Sequence, residues 1–114
     1  MPLDYKKYLG QKITVTIDRP LGSRHPDYRD IIYPINYGYL TGTKAEDGEE
    51  IDAYVLGVDH PLQLFIGRCI AVIHRLDDQE DKLVVAPECM YFSDEKIKEL
   101  VNFQEKYFKS EIIR

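Results

Sequence analysis

The amino-acid sequence predicts a mainly β or α+β domain, a small antiparallel barrel or curled sheet with one helix packed on it. Two observations carry that expectation. Short runs rich in Val, Ile and Tyr recur through the first three quarters of the chain, and a single amphipathic helical pattern follows them.

The first strand is read over Lys12–Asp18, where Ile13, Val15 and Ile17 alternate with polar residues and face inward. Arg19–Asp30 ("RPLGSRHPDYRD") has two prolines, a glycine and five charges, which makes it a loop, and a basic one for this chain. Further strands are expected at Tyr37–Leu40, Ile51–Leu56, Leu64–His74 and Lys82–Ala86. The helix begins after Ser93, a good N-cap, with Asp94 and Glu95 in the first turn, where the helix dipole favours negative charge. Ile97, Leu100, Val101, Tyr107 and Phe108 are expected to form its apolar face.

The 114 residues suffice for one core, so residues 1–114 are read as a single domain. The formal net charge of −5 argues against nucleic acid or an anionic membrane as the main partner. No apolar run is long enough to cross a bilayer, and the start, MPLDYKKYLG, has no apolar stretch of signal-peptide type; the expected location is cytoplasmic. Cys69 and Cys89 share no metal-ligand spacing and fit a reducing compartment.

The stretch from Glu46 to Asp52 concentrates five carboxylates in seven residues: Glu46, Asp47, Glu49, Glu50 and Asp52. Asp47-Gly48 is a turn signal, and Asp52 sits between the apolar Ile51 and Ala53. A charge in such a run must face solvent or be paired, because burying an unpaired carboxylate is costly. A solvated acidic turn would satisfy that demand. So would a cation site, since hard oxygen donors on a semi-rigid support are what Mg²⁺ takes. A second cluster, Asp77-Asp78 with Glu80-Asp81, precedes Lys82. Glu80 and Lys82 are two apart and share a side if the strand reaches that far, while Asp81 points away. An acid and an ammonium side by side suit a metal–phosphate complex, or form an ordinary exposed ion pair.

"YPINYGYL" followed by "DGEEID" resembles the soluble family I inorganic pyrophosphatases, whose hallmark is a tyrosine-proline, an asparagine-tyrosine-glycine and then an acidic D-G-D-P-x-D signature. "EDKLVVAP" resembles the family's strand with an acid, a lysine and a closing proline, and "FQEKYFK" its terminal helix. The resemblance implies a five-stranded OB-like β-barrel with a C-terminal α-helix, and Mg²⁺-dependent hydrolysis of inorganic pyrophosphate to two phosphates, with Mn²⁺ as the alternative ion. Carried across by position, Asp47, Asp52, Asp77 (or Asp78) and Glu80 match metal-binding carboxylates, and Glu49 matches the acid that orients or deprotonates the attacking water. Tyr37, Lys82, Tyr107 and Lys109 match substrate-side residues; Arg24 is the closest counterpart of the family's loop arginine, with Arg29 second.

The chain departs from the pattern in places. Glu49 and Glu80 stand for aspartates, Glu50 for a proline, Thr14 and Thr16 for a first-strand lysine and glutamate, and Phe108 for a lysine. The alternative is therefore a non-catalytic homologue that binds a metal–phosphate ligand or a protein partner. Association into a homo-oligomer is compatible with the nine tyrosines, although the sequence locates no patch for it.

Overall fold

The computed structural model describes residues 5–40, 50–76 and 81–114. A single 3-10 turn (Tyr5–Tyr8) leads into β1 (Lys12–Arg19), β2 (Asn36–Tyr39), β3 (Asp52–Val55), β4 (Leu64–Arg75), β5 (Lys82–Ala86), α1 (Asp94–Glu105) and β6 (Ser110–Ile113). The sheet runs β1-β2-β3-β5-β4-β6, and a further pairing of β1 with β4 closes the first five strands into a barrel. Closure removes the open edges that a flat sheet of this size would present.

One pairing departs from an all-antiparallel expectation. β3 and β5 run parallel, with Tyr54 opposite Val84, while the other pairs are antiparallel. A parallel pair needs a crossover, and here the long strand β4 supplies it by traversing the barrel before returning as β5.

Both faces of the barrel wall are buried around β3 and β5. Ile13, Val15, Ile17, Ala53, Val55, Leu83 and Val85 fill the interior. Tyr33, Tyr37, Tyr54, Ile73, Val84 and Ala86 form a second core outside the wall, against Ile97 and Val101 of α1. Alternate residues of a strand point to opposite faces, so Asp52 and Lys82 share the outer, helix-covered face with Tyr54 and Val84.

Helix α1 starts as expected, with the Ser93 hydroxyl accepting from the Lys96 N–H at 3.2 Å. It ends earlier than the apolar pattern suggests. Glu105 is its last residue, so Tyr107 and Phe108 follow the helix rather than extend its face. The chain then forms β6, a strand not expected from the sequence, which pairs Ser110–Ile113 with Arg75–Val72 of β4. The reason lies in β4: its last residues extend past the β1 pairing and offer backbone groups that four residues of β6 satisfy. Among the described residues, no helix is long and apolar enough to cross a membrane.

Candidate active site

On the outer face, at the edge of the helix-covered core, lies a cavity of about 450 Å³. Its charged lining among the described residues comprises Arg19, Arg75 and Lys82 with Asp27 and Asp52, so cations predominate there although the chain as a whole is acidic. The centre is a three-residue cluster. Asp52 Oδ2 accepts from Lys82 Nζ at 2.9 Å and from the Tyr37 hydroxyl at 2.8 Å. Lys82 is buried and Asp52 only partly so. A buried ammonium persists because a carboxylate compensates it. Burial, and then the Asp52 charge, hold the Tyr37 pKa well above its ordinary value, so Tyr37 acts as a neutral donor.

Arg19 reaches the cavity because of a defect in the ladder. Strict alternation along β1 would put residue 19 on the interior face with Ile13, Val15 and Ile17. The register instead slips: Ile17 lies opposite Gly38, and Arg19, not Asp18, lies opposite Tyr37. The extra residue is a β-bulge, which reverses the parity of the residues beyond it and re-aims a side chain. Arg19 thereby stacks near the rings of Tyr33 and Tyr37, 5.7 and 5.6 Å from their centroids, and donates to the Tyr33 hydroxyl at 2.6 Å. Gly38 permits the close strand approach at the bulge. A Cβ built there would stand 2.0 Å from the Thr16 carbonyl oxygen.

Arg75, the last residue of β4, forms the opposite wall. Its Nε and Nη2 donate to Glu105 Oε1 and Oε2 at 3.1 and 2.7 Å, a bidentate pair buried on both sides. Phe108 lies under the guanidinium, 3.7 Å from ring centroid to Cζ. Burial disfavours this charge, but the hydrogen bonds and charge of Glu105 outweigh it and raise the Arg75 pKa. At the mouth stand His25, Tyr28, Ile31 and Tyr107. The His25 Nδ1 accepts from the backbone N–H groups of Asp27 and Tyr28 at 3.1 and 3.2 Å, which requires a neutral nitrogen there. Burial, and then the nearby Arg19 charge, lower the His25 pKa in keeping with that role.

Of the residues singled out in the sequence, Tyr37, Asp52, Lys82 and Tyr107 line one cavity. Arg24 does not line it; its Nη1 donates to the Arg29 carbonyl 2.9 Å away in an exposed loop. Lys109 is exposed and also lies outside the lining. Thr14 and Thr16 pair with Ile66 and Leu64 and do not line the cavity. Asp47, Glu49, Asp77 (with its alternative Asp78) and Glu80 lie outside the described residues. Asp81, next to Lys82, turns the other way, toward the His74 ring at 2.9 Å. Arg19, Arg75, Gln104 and Glu105 were not legible as site residues. For Arg19 the available signal was its place at the head of the basic loop; for Gln104 and Glu105, it was two polar residues beside Val101 and Phe103 in an amphipathic helix.

The donor set is compatible with a divalent cation. Asp52 spends Oδ2 on Lys82 and Tyr37, and its Oδ1 is the hard oxygen that a metal would take. Among the described residues no group of three His, Cys, Asp or Glu side chains is placed to hold a metal ion.

A mixed, OB-like barrel with a covering helix carries a cavity around a lysine–aspartate–tyrosine cluster, an arrangement suited to an anionic ligand. The pattern of the inorganic pyrophosphatase family matches residues 8–112. The chain belongs to that family. It is 30% identical over 119 aligned positions to soluble inorganic pyrophosphatase 2 of Chlamydomonas reinhardtii, covering 90% of this chain and 62% of that one. It is 29% identical to a soluble inorganic pyrophosphatase of Oryza sativa subsp. indica, covering 90% and 56%. The chain thus spans less than two thirds of the length of these relatives. The fold also superimposes on the crystal structure of inorganic pyrophosphatase from Ehrlichia chaffeensis, with TM-score 0.68 at 19% identity, covering 90% of this chain and 85% of that one. For an inorganic pyrophosphatase from Neisseria gonorrhoeae the TM-score is 0.64 at 24% identity, covering 91% and 81%.

Proposed function

We propose that the cavity binds inorganic pyrophosphate, or a closely similar phosphoanhydride, and that the protein hydrolyses it to two phosphates with the aid of Mg²⁺. The observation that carries this reading is the meeting of Asp52, Lys82 and Tyr37 in one cavity with Arg19 and Arg75, within a chain of the pyrophosphatase family. Pyrophosphate is densely anionic, and three cations set in a partly desolvated wall are suited to hold it.

In the reaction, water attacks one phosphorus, the bridging P–O bond breaks, and the second phosphate leaves with the bridging oxygen. Lys82 and the two arginines offset charge on the phosphoryl oxygens as that bond lengthens. Tyr37 and Lys82 fix the Asp52 carboxylate by holding its Oδ2. Asp52 would hold the cation through Oδ1, and Asp47, Asp77 and Glu80 are the expected further ligands. Glu49 is the expected acceptor of the proton that the attacking water gives up. When bound, Mg²⁺ would neutralise substrate charge and make water a better nucleophile near neutral pH.

The test is phosphate release from pyrophosphate by purified protein, with and without Mg²⁺, alongside Asp52→Asn. Metal-dependent release that falls at least ~100-fold in the variant is the expected result. A second reading is favoured by Thr14 and Thr16, which stand where the family carries a lysine and a glutamate and do not line the cavity. It is a homologue that keeps pyrophosphate without turning it over. Binding without phosphate release would select it, and neither binding nor release would overturn both.

A further inference from the structure

The two arginines of the cavity do not stand independently. A single run of hydrogen bonds, part-buried at Arg19 and buried from Tyr33 onward, passes from one to the other through the end of α1. Arg19 Nη1 donates to the Tyr33 hydroxyl at 2.6 Å, and Tyr33 donates in turn to Gln104 Oε1 at 3.0 Å. Gln104 Nε2 donates to the Tyr54 hydroxyl at 2.9 Å, and Tyr54 donates to Glu105 Oε2 at 2.6 Å. Arg75 meets the same oxygen from the other side at 2.7 Å. From Arg19 onward each link donates toward the Glu105 carboxylate, on which Arg75 donates from the other end. Chains of this kind polarise and strengthen one another in a low-dielectric interior.

The geometry is unusual for what α1 contributes. Gln104 and Glu105 are consecutive and both buried, at 9% and 6% exposure. Tyr33 and Tyr54 are fully buried beneath them. Gln104 can satisfy both tyrosines only in the amide orientation that accepts from Tyr33 and donates to Tyr54, which fixes the direction of the whole run. Burial, and then the charge of Glu105, hold Tyr54 neutral, as its double role requires.

From this geometry we propose that Gln104 and Glu105 are positioning residues that tie Arg19 and Arg75 into one two-armed anion clamp, so that the setting of either guanidinium depends on the other. The inference rests on the reading of the cavity as a pyrophosphate site. It adds to that reading a coupling between the two arginines, carried by hydrogen bonds through Gln104, which lines the cavity, and Glu105, which does not.

The experiment is a double-mutant cycle with Arg19→Lys, Arg75→Lys and the double variant, repeated on a Gln104→Met background. Lysine keeps each charge but cannot hold the fork geometry. The readout is KM and kcat for pyrophosphate with Mg²⁺. In the native background the two changes should be non-additive in KM by about 2- to 100-fold, the span measured for networked pairs. With Gln104→Met they should become additive, since the relay is cut while side-chain volume is nearly kept. Tyr33→Phe, which cuts the run at the Arg19–Tyr33 and Tyr33–Gln104 links, replaces Gln104→Met if that variant does not fold. Additivity in the native background, or unchanged coupling once the relay is cut, overturns the proposal. If the native protein neither binds nor hydrolyses pyrophosphate, the functional reading fails separately. The same eight proteins are then compared by unfolding midpoint, where coupling lost with Gln104→Met sustains the relay and additivity overturns it.

Discussion

Replacing Gly38 by alanine should be among the most damaging single-methyl additions in this protein. The added carbon would lie 2.0 Å from the Thr16 oxygen, 2.7 Å from its carbonyl carbon and 2.9 Å from Ile17 Cα. All three are backbone atoms, so no rotamer change relieves the clash, and β1 must move away from β2. Overpacking in a tight interior costs about 1–3 kcal/mol, sometimes more. A clash with main chain on a closed barrel belongs at the upper end of that range, ~3 kcal/mol. For a domain of this size each kcal/mol lowers Tm by roughly 4 °C, so a drop of roughly 12 °C is expected. Thermal unfolding by circular dichroism measures this directly. The displacement falls at the bulge that aims Arg19, so pyrophosphate affinity should fall even in molecules that remain folded. A Gly38→Ala protein melting within ~2 °C of the native one, with unchanged affinity, would refute the account of the bulge.

Buried charge and proton linkage give two further expected outcomes. Glu105→Ala removes the bidentate buried partner of the Arg75 side chain, which is 3% exposed, and should lower stability by about 3–5 kcal/mol in urea titration; a loss below ~1 kcal/mol would show that Glu105 is not the partner that compensates Arg75. His25 has a folded pKa below the ordinary 6.5. The unfolded chain therefore binds its proton more readily, so the stability His25 contributes is present above pH 6.5 and is lost as pH falls through 6.5 toward the folded value. An NMR titration of the His25 ring should give a midpoint under 6.5, and a midpoint above it would contradict the Nδ1-accepting geometry.

The strands and the start of the helix were legible because local rules govern them. β1 declares itself by alternation, β5 by an unbroken apolar run and α1 by Ser93. Tyr37, Asp52 and Lys82 were legible through sequence motifs, and parity on β3 and β5 puts the last two on the outer face. What stayed hidden depends on contacts far apart in sequence. β6 exists because β4 outlasts its other partner, and no feature of "SEII" announces that. Arg19 was hidden by a one-residue slip, since a reader of alternation assigns it to the interior. Gln104 and Glu105 look like solvent-facing helix residues until Tyr33, from the connection before β2, and Tyr54 of β3 are seen beneath them.

The seam between β1 and β4 also bears on how fast the protein folds. It pairs Lys12 with Arg68 and Thr16 with Leu64, partners about fifty residues apart, and such long-range pairings place small barrels in the slow, millisecond-to-second class of folders. The chain must close a large loop before any seam hydrogen bond rewards it. Arg19 rides on one side of that seam, while Arg75 and Lys82 ride on the β4–β5 hairpin at the other. They are joined the other way round the barrel, through the ladder β1-β2-β3-β5-β4, so the slow seam completes the barrel while the cations already share one continuous sheet.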